Sequence, residues 1–268
     1  FFDITCRSVM LLCLSPDYIA GKMMIVRALL SGADLLVVTP SSLPLTAIDE
    51  PIDFAAMVPA QVVESLKSTM QKSRLSRITS LIIGGAPLSP GTEVELEKLP
   101  VDMYATYGMT ETVSHVALRR IGDSLSLYCA LGGISFSIDE RNCLIIHAPH
   151  FSVKEFVTND VVELVDSRNF RWIGRYDHVI NTGGIKVFPE LIEKKIAGLF
   201  TRRFFVTSCD DLKWGESVAL VIEGEALEQE KIFLEKIRAK VNKYEFPRKV
   251  LYVQKFKETS SGKVIRNI

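Results

Sequence analysis

The sequence predicts an α/β domain that carries a small β subdomain, followed by a smaller α+β carboxyl-terminal domain. Three observations point there. Apolar runs of strand length alternate with helical stretches through residue 107, the usual rhythm of parallel α/β units. Over residues 113–173 the runs shorten and turn-rich clusters separate them. The remainder mixes amphipathic helices with short strands. At 268 residues the chain exceeds the roughly 100–200 residues typical of one domain, so two are expected, residues 1–174 and 175–268.

In order, residues 9–14 read as a strand, 21–30 as a helix, 33–39 as a strand and 59–67 as a helix. Residues 78–83 form an apolar strand that stops at Gly84-Gly85, and Pro90 suits the first turn of an acidic helix over 90–98. Another strand runs toward Tyr104. Gly132-Gly133, Asp139-Glu140-Arg141-Asn142 and Asp166-Ser167-Arg168-Asn169 punctuate the β-rich part. Beyond it, residues 190–199 and 227–241 are helical, and 203–207, 217–222 and 249–253 are strands. In the second helix Phe233, Leu234, Ile237 and Val241 share one face, while Glu228, Lys231, Glu235 and Lys236 can face water.

Composition excludes several classes. Thirty-two Lys+Arg balance thirty-two Asp+Glu, so nothing draws the chain wholesale to nucleic acid or anionic membrane. The apolar run at 19–30 is interrupted by Lys22 and Arg27, too short and too charged for membrane insertion. Five scattered cysteines without a Cys-x-x-Cys pair argue against a disulfide framework and a structural zinc site, and a reducing cytoplasm is the expected setting. His115, His147, His150 and His178 form no metal or nucleophile pattern and read as core or surface residues.

Three ordered segments carry the chemistry. In Tyr107-Gly108-Met109-Thr110-Glu111-Thr112, a glycine after a strand lets the backbone approach a nucleotide, a threonine hydroxyl can bond phosphate, and a carboxylate can hold Mg²⁺. Next come Gly174-Arg175-Tyr176-Asp177 and Gly183-Gly184-Ile185-Lys186-Val187-Phe188-Pro189-Glu190. Arg175 has a planar cation suited to ribose or phosphate oxygens. Last is Ser261-Gly262-Lys263-Val264-Ile265-Arg266, a lysine beside glycine whose long stem can reach a site built elsewhere. Each alone is weak. In this order, over about 160 residues, they resemble the acyl-adenylate-forming superfamily, and Asn181-Thr182-Gly183-Gly184-Ile185-Lys186 is most similar to the o-succinylbenzoate-CoA ligase branch.

That resemblance implies an acyl-CoA synthetase-like fold and a two-step ligase using ATP, Mg²⁺ and CoA. It assigns Thr110 to the α-phosphate, Glu111 to Mg²⁺, and Tyr107 with Gly108 to the adenine side. Gly84, Gly85 and Ala86 become a wall of the nucleotide and acyl pocket. Phe156-Val157-Thr158-Asn159-Asp160 is similar to the family's Thr-Gly-Asp turn, with Asn159 for glycine, which gives Asp160 to the ribose hydroxyls. Arg175 lies at the domain junction, and Asp177 at the hinge about which the smaller domain turns between half-reactions. Gly183 and Gly184 line the passage of the CoA pantetheine arm, and Lys263 is the adenylation lysine.

For the acyl group, Tyr18 stands where the family usually carries histidine, and Arg27 resembles an arginine that receives the second carboxylate of o-succinylbenzoate. The product would then be o-succinylbenzoyl-CoA, an intermediate of menaquinone biosynthesis. Another aryl- or acyl-CoA ligase, a transfer to a carrier protein, and a non-catalytic nucleotide-binding relative stay open. The family's Gly/Ser/Thr-rich phosphate loop is not found, and because the sequence opens on Phe1 it is expected upstream.

Overall fold

The computed structural model describes residues 1–258 and 264–266. The chain divides into two compact units: residues 1–88, 92–135 and 148–154, and residues 89–91, 136–147 and 155–268.

In the first unit, β1 (Val9–Leu12), α1 (Ile19–Ser31), β2 (Asp34–Val37), β3 (Ile52–Met57), α2 (Pro59–Lys67), α3 (Thr69–Leu75), β4 (Ile78–Ile83), α4 (Pro90–Leu96) and β5 (Asp102–Gly108) follow the βα rhythm. Strands β2-β1-β3-β4-β5 lie side by side, all parallel. They continue antiparallel into β6 (His115–Arg120) and β7 (Tyr128–Ala130). The central parallel strands are mostly apolar because both of their faces are covered. Leu11, Ala55, Met57, Leu81 and Ile83 pack on one side with Val62 and Leu75. Met10, Leu12, Phe54, Ala56 and Ile82 pack on the other with Met24 and Ala28 of α1.

The bounds of α2 and β4 are those expected. Strand β3 and helix α3 were not: Asp53 interrupts the first, and the second is polar apart from Met70 and Leu75. Parallel pairing of β3 to both β1 and β4 makes it central to the sheet. The carboxyl ends of β1, β3, β4 and β5 share one edge, where open α/β sheets hold ligands.

In the second unit, β8 (Ser135–Ile138), β9 (Cys143–His147), β10 (Glu155–Asp166) and β11 (Asn169–Arg175) stand in the order β11-β10-β9-β8. A second sheet holds β12 (Ile180–Thr182), β13 (Ile185–Val187), β14 (Phe204–Asp211), β15 (Gly215–Glu223) and β16 (Lys249–Val253). Helices α5 (Pro189–Ile196) and α6 (Glu230–Arg238) complete it. Ile192, Ile196 and Ile237 from the helices enclose Val206, Val218, Leu220 and Ile222 of β14 and β15.

One expectation needs correcting. Thr158-Asn159-Asp160 is not a turn but lies inside β10, where the register against β9 slips between Val157 and Val161. The buried Thr158 hydroxyl donates to the Leu144 carbonyl at 2.8 Å and accepts from the Asp160 N–H at 3.1 Å, holding the bulge. Asn159 has no positive φ; its side chain accepts instead from Arg141 at 3.2 Å.

Candidate functional site

On the first unit, parallel β4 and β5 bring two expected segments together. A Cβ on Gly84 would stand 2.2 Å from the Thr106 hydroxyl, so the backbone after β4 lies directly against the end of β5. The Gly84 N–H closes onto the Met57 carbonyl at 3.1 Å, and Gly85 takes φ +91°, open to glycine and costly for other residues. Gly84-Gly85-Ala86 and Tyr107-Gly108 are therefore neighbours at one sheet edge.

Beyond β5 the chain makes a tight loop. Thr110–Thr112 is a single 3-10 turn, and Thr112 is buried with its hydroxyl shared among the Met109 N–H, the Met109 carbonyl and the Ser114 carbonyl, at 3.0, 2.9 and 2.8 Å. Val113 follows at φ 63°, ψ −46°, and the Ser114 N–H reaches the Thr112 carbonyl at 2.6 Å. This is a positive-φ γ-turn, which a β-branched residue rarely adopts and which clusters at functional sites. Gly108 permits it, since a Cβ there would lie 2.5 Å from the Ser114 carbonyl oxygen and 2.6 Å from the His115 Cα. Thr110 and Glu111 remain exposed on the turn. One exposed carboxylate beside a threonine suits Mg²⁺, which takes one or two carboxylates and completes its shell with phosphate oxygens and water.

The same loop delivers Ser114 and His115 to Arg27 of α1. Arg27 Nη2 lies 3.5 Å from Ser114 Oγ, Nη1 is 3.7 Å from Met24 Sδ, and the guanidinium sits 5.9 Å from the Phe54 ring centre. Ser114 Oγ is 3.3 Å from His115 Nδ1. Burial pulls the Arg27 pKa below its ordinary value, and no carboxylate among the described residues offsets it. Burial, with Arg27 adding repulsion, lowers His115 to about 4. The result is a largely buried cation beside a hydroxyl and an imidazole that is neutral at pH 7. Tyr18 is not part of this group: it is 60% exposed at the amino-terminal cap of α1, nine residues and about 13 Å of helix from Arg27.

Two supports escaped the sequence reading. Glu93 of α4 clamps Arg119 of β6 in two bonds, 2.5 and 3.1 Å, and the guanidinium rests 5.6 Å from Tyr128, whose ring is 5.7 Å from Tyr107. Burial works against the Arg119 charge, but Glu93 and Tyr128 prevail and its pKa rises. Buried Gln61 accepts from the Val58 N–H at 3.2 Å and donates to the carbonyls of Cys13 and Ser41 at 3.0 and 2.9 Å, tying the ends of β1 and β3.

On the second unit, Asp160 and Arg175 pair in register across β10 and β11. Trp172 Nε1 donates to Asp160 Oδ1 at 3.2 Å, and Arg175 Nη1 is 3.8 Å from the same oxygen. Arg175 also grips Asp177 through Nε and Nη2, at 2.9 and 3.0 Å. Gly183 and Gly184 are the two-residue link of the β12–β13 hairpin, with φ 60° and 83°, the pairing that a tight hairpin demands. The Gly-Gly pair itself was the available signal. A Cβ on Gly183 would strike the Trp214 ring at 2.3 Å, whereas one on Gly184 would meet nothing within 4 Å. The expected adenylation lysine, Lys263, lies outside the described residues.

The family model for AMP-binding enzymes matches residues 2–133. An acyl-CoA synthetase (AMP-forming)/AMP-acid ligase II-like protein from Dyadobacter fermentans is 35% identical, with a TM-score of 0.63, over 98% of this chain and 77% of its own. The chain belongs to the AMP-binding, acyl-adenylate-forming family. The 2-succinylbenzoate-CoA ligase of Listeria monocytogenes is 24% identical over 71% of this chain and 45% of its own length. The chain thus spans about half the length of the curated relatives it matches. In fold it superposes on o-succinylbenzoate CoA synthetase from Bacillus subtilis, solved with its acyl-adenylate intermediate, at TM-score 0.83 and 15% identity over 99% of this chain and 61% of that one. The same synthetase solved with ATP and magnesium gives 0.81. Within this adenylate-forming fold, Thr110 and Glu111 sit on the loop after β5 and Asp160 on β10. Among the described residues all five cysteines are free, and no helix is long and apolar enough to cross a membrane.

Proposed function

We propose that this adenylate-former is a carboxylate-CoA ligase whose acid carries a second carboxylate, as o-succinylbenzoate does. A carboxylate oxygen of the acid attacks the α-phosphorus of ATP and the α–β phosphoanhydride bond breaks, giving acyl-AMP and pyrophosphate. The CoA thiol, losing its proton to solvent, then attacks the acyl carbon, and AMP leaves with the bonding pair.

One observation carries the choice of acid: the Arg27 guanidinium is largely buried, faces Ser114 and the neutral His115, and has no carboxylate partner among the described residues. Burying a cation unpaired is costly, and an arriving carboxylate would relieve that cost with charge-assisted bonds. Tyr18 would stand nearer the entrance, where its exposed ring could meet the aromatic part of the acid.

The remaining roles follow the family. Thr110 would bond the α-phosphate, with Tyr107, Gly108 and the Gly84-Gly85-Ala86 backbone along the base. Glu111 would hold Mg²⁺, which supplies positive charge to the phosphates when bound. Asp160 would accept the ribose hydroxyls, Arg175 would face ribose or phosphate, and Asp177 would be the pivot between residues 1–174 and 175–268. Gly183 and Gly184 would admit pantetheine, and the open space beside Gly184 supports this. Lys263 would balance the charge moving onto pyrophosphate. A reducing cytoplasm suits the five free thiols.

The test is product detection by mass spectrometry, using the protein as its natural gene encodes it with ATP, Mg²⁺, CoA and a panel of mono- and dicarboxylic acids. A CoA thioester from o-succinylbenzoate that Arg27→Met weakens about 10- to 100-fold in kcat/KM, with monocarboxylic acids little affected, is the expected result. Thioesters from monocarboxylic acids alone would remove the second carboxylate from the proposal. Absence of any acyl-adenylate would remove the ligase.

A further inference from the structure

In the second unit, one face of β8, β9 and β10 brings together three side chains that none of the roles above uses. Ser137 Oγ lies 2.7 Å from His147 Nε2, and His147 Nδ1 lies 3.3 Å from Glu155 Oε2. A hydroxyl thus meets one ring nitrogen while a carboxylate meets the other, the order of a nucleophile, its base and the group that orients the base. Spacing along the chain gave His147 no such partners; strand pairing supplies them.

The sheet fixes this placement. Alternation sends Phe136, Leu144 and Ile146 to the buried side, where Phe136 meets the Phe170 ring at 4.9 Å, and leaves Ser137, Ile145 and His147 on the other. Adjacent β8 and β9 are joined by a turn in which Asp139 Oδ1 accepts the Arg141 and Cys143 N–H groups, both at 2.8 Å. Glu155 of β10 stands directly opposite His147 in register, where facing side chains are close enough to touch. The His147 and Glu155 side chains are 35% and 56% exposed, so a small molecule can reach them from solvent. Two residues along the same face, Ile145 stands opposite Val157, which is exposed.

We propose that Ser137, His147 and Glu155 form a reactive site of their own, in which Ser137 is a nucleophile toward esters with an apolar acyl group and a good leaving group. A carboxylate can only accept, so Glu155 holds the ring proton on Nδ1 and leaves the Nε2 lone pair for the hydroxyl. Ser137 Oγ attacks the ester carbonyl carbon while its proton passes to Nε2. The bond to the ester oxygen breaks, and that oxygen leaves with the bonding pair and takes the proton from Nε2, giving acyl-Ser137. Water then adds to the acyl carbon and gives a proton to Nε2. The Ser137 oxygen leaves with its bonding pair, recovers the proton, and releases the carboxylic acid. Glu155 keeps the ring oriented and steadies the imidazolium that forms twice in the cycle. Ile145 and Val157 beside the site favour an apolar acyl chain over a charged one.

The test uses the natural-length protein without ATP or CoA, so its result does not depend on the ligase reading. An alkyl fluorophosphonate, which phosphonylates activated serines, is the probe; peptide mass spectrometry locates the adduct, and p-nitrophenyl butyrate hydrolysis is followed by absorbance. An adduct on Ser137 is expected, and Ser137→Ala should lose it together with most of the ester hydrolysis. His147→Gln should slow labelling about 100-fold or more, the usual share of a positioned base. Glu155→Gln should slow it less, and adding it to His147→Gln should cost nothing further, because the carboxylate acts only through the ring. Where Ser137→Ala folds poorly, His147→Gln, which keeps the hydroxyl, decides the matter. No adduct on Ser137 in the wild type, labelling of His147→Gln at the wild-type rate, or undiminished ester hydrolysis in Ser137→Ala would each overturn the proposal.

Discussion

Asp177 occupies two prongs of the Arg175 guanidinium, with Nε to Oδ1 at 2.9 Å and Nη2 to Oδ2 at 3.0 Å. The residue proposed to face the nucleotide is thus held by the residue proposed as the pivot, and a turn about Asp177 would have to change the same bond. Hydrogen bonding to Arg175 holds the Asp177 carboxyl below its ordinary range despite partial burial. The sign follows: the contribution of this pair is present above the ordinary carboxylate range and is lost as pH falls through the depressed value. Because Asp177 is half exposed, the effect on stability is small. In Arg175→Met the Asp177 titration midpoint should move upward toward that of an unpaired aspartate. Carboxyl-detected NMR measures it, and an unmoved midpoint would show that Arg175 does not hold the charge.

His115 makes stability depend on mildly acidic pH. Its folded value of about 4 lies below the ordinary 6.5, so between these limits the unfolded chain binds the extra proton and stability rises with pH. The gain is on the order of 3 kcal/mol across that window. Urea unfolding of wild type and His115→Gln at pH 4.5 to 7 should show the slope in wild type and a flatter curve in the variant. Parallel curves would contradict the buried neutral imidazole.

Arg119 and Glu93, with side chains 11% and 22% exposed, form a largely buried pair beneath the Tyr128–Tyr107 contact. Arg119→Met leaves a buried carboxylate uncompensated and should destabilise the fold by about 3–5 kcal/mol. Adding Glu93→Leu should restore much of that, because the unpaired charge is then gone. Denaturant midpoints of the single and double variants decide it: a double variant as unstable as the sum of both singles would contradict this account.

The adjacent glycines of the β12–β13 hairpin should respond differently to substitution. Gly184→Ala meets only the backbone cost of positive φ, about 1 kcal/mol. Gly183→Ala meets that cost and the Trp214 ring, adding roughly 1–3 kcal/mol. Thermal unfolding should place Gly183→Ala clearly below Gly184→Ala; equal melting temperatures would mean that the indole moves aside freely.

Where the sequence was legible, the signal was local. Pro at the first turn of α2, an apolar run ended by Gly84-Gly85, and the apolar spacing of α6 are properties of neighbouring residues, and the elements formed where expected. Strand β3 was missed because Asp53 breaks its apolar run; its carboxylate is satisfied by the Val9 N–H at 2.7 Å, a partner 44 residues away. The Thr158-Asn159-Asp160 segment was read as a turn from its likeness to a Thr-Gly-Asp turn, while pairing to β9 and β11 draws it into a bulged strand.

By itself the sequence pointed to the family, since three motifs stand in an order and spacing that resemble it. It also determined the α/β character of the first unit, because apolar runs of strand length alternating with helical stretches are the rhythm of parallel α/β units. Only the tertiary structure decided that Arg27 is buried beside Ser114 and His115 with no carboxylate partner among the described residues, that Arg175 is held by Asp177, and that Arg266 is clamped by Glu193. A charge in a sequence carries neither its desolvation nor its partner; both arise when segments 87 or 73 residues apart are brought within hydrogen-bond reach.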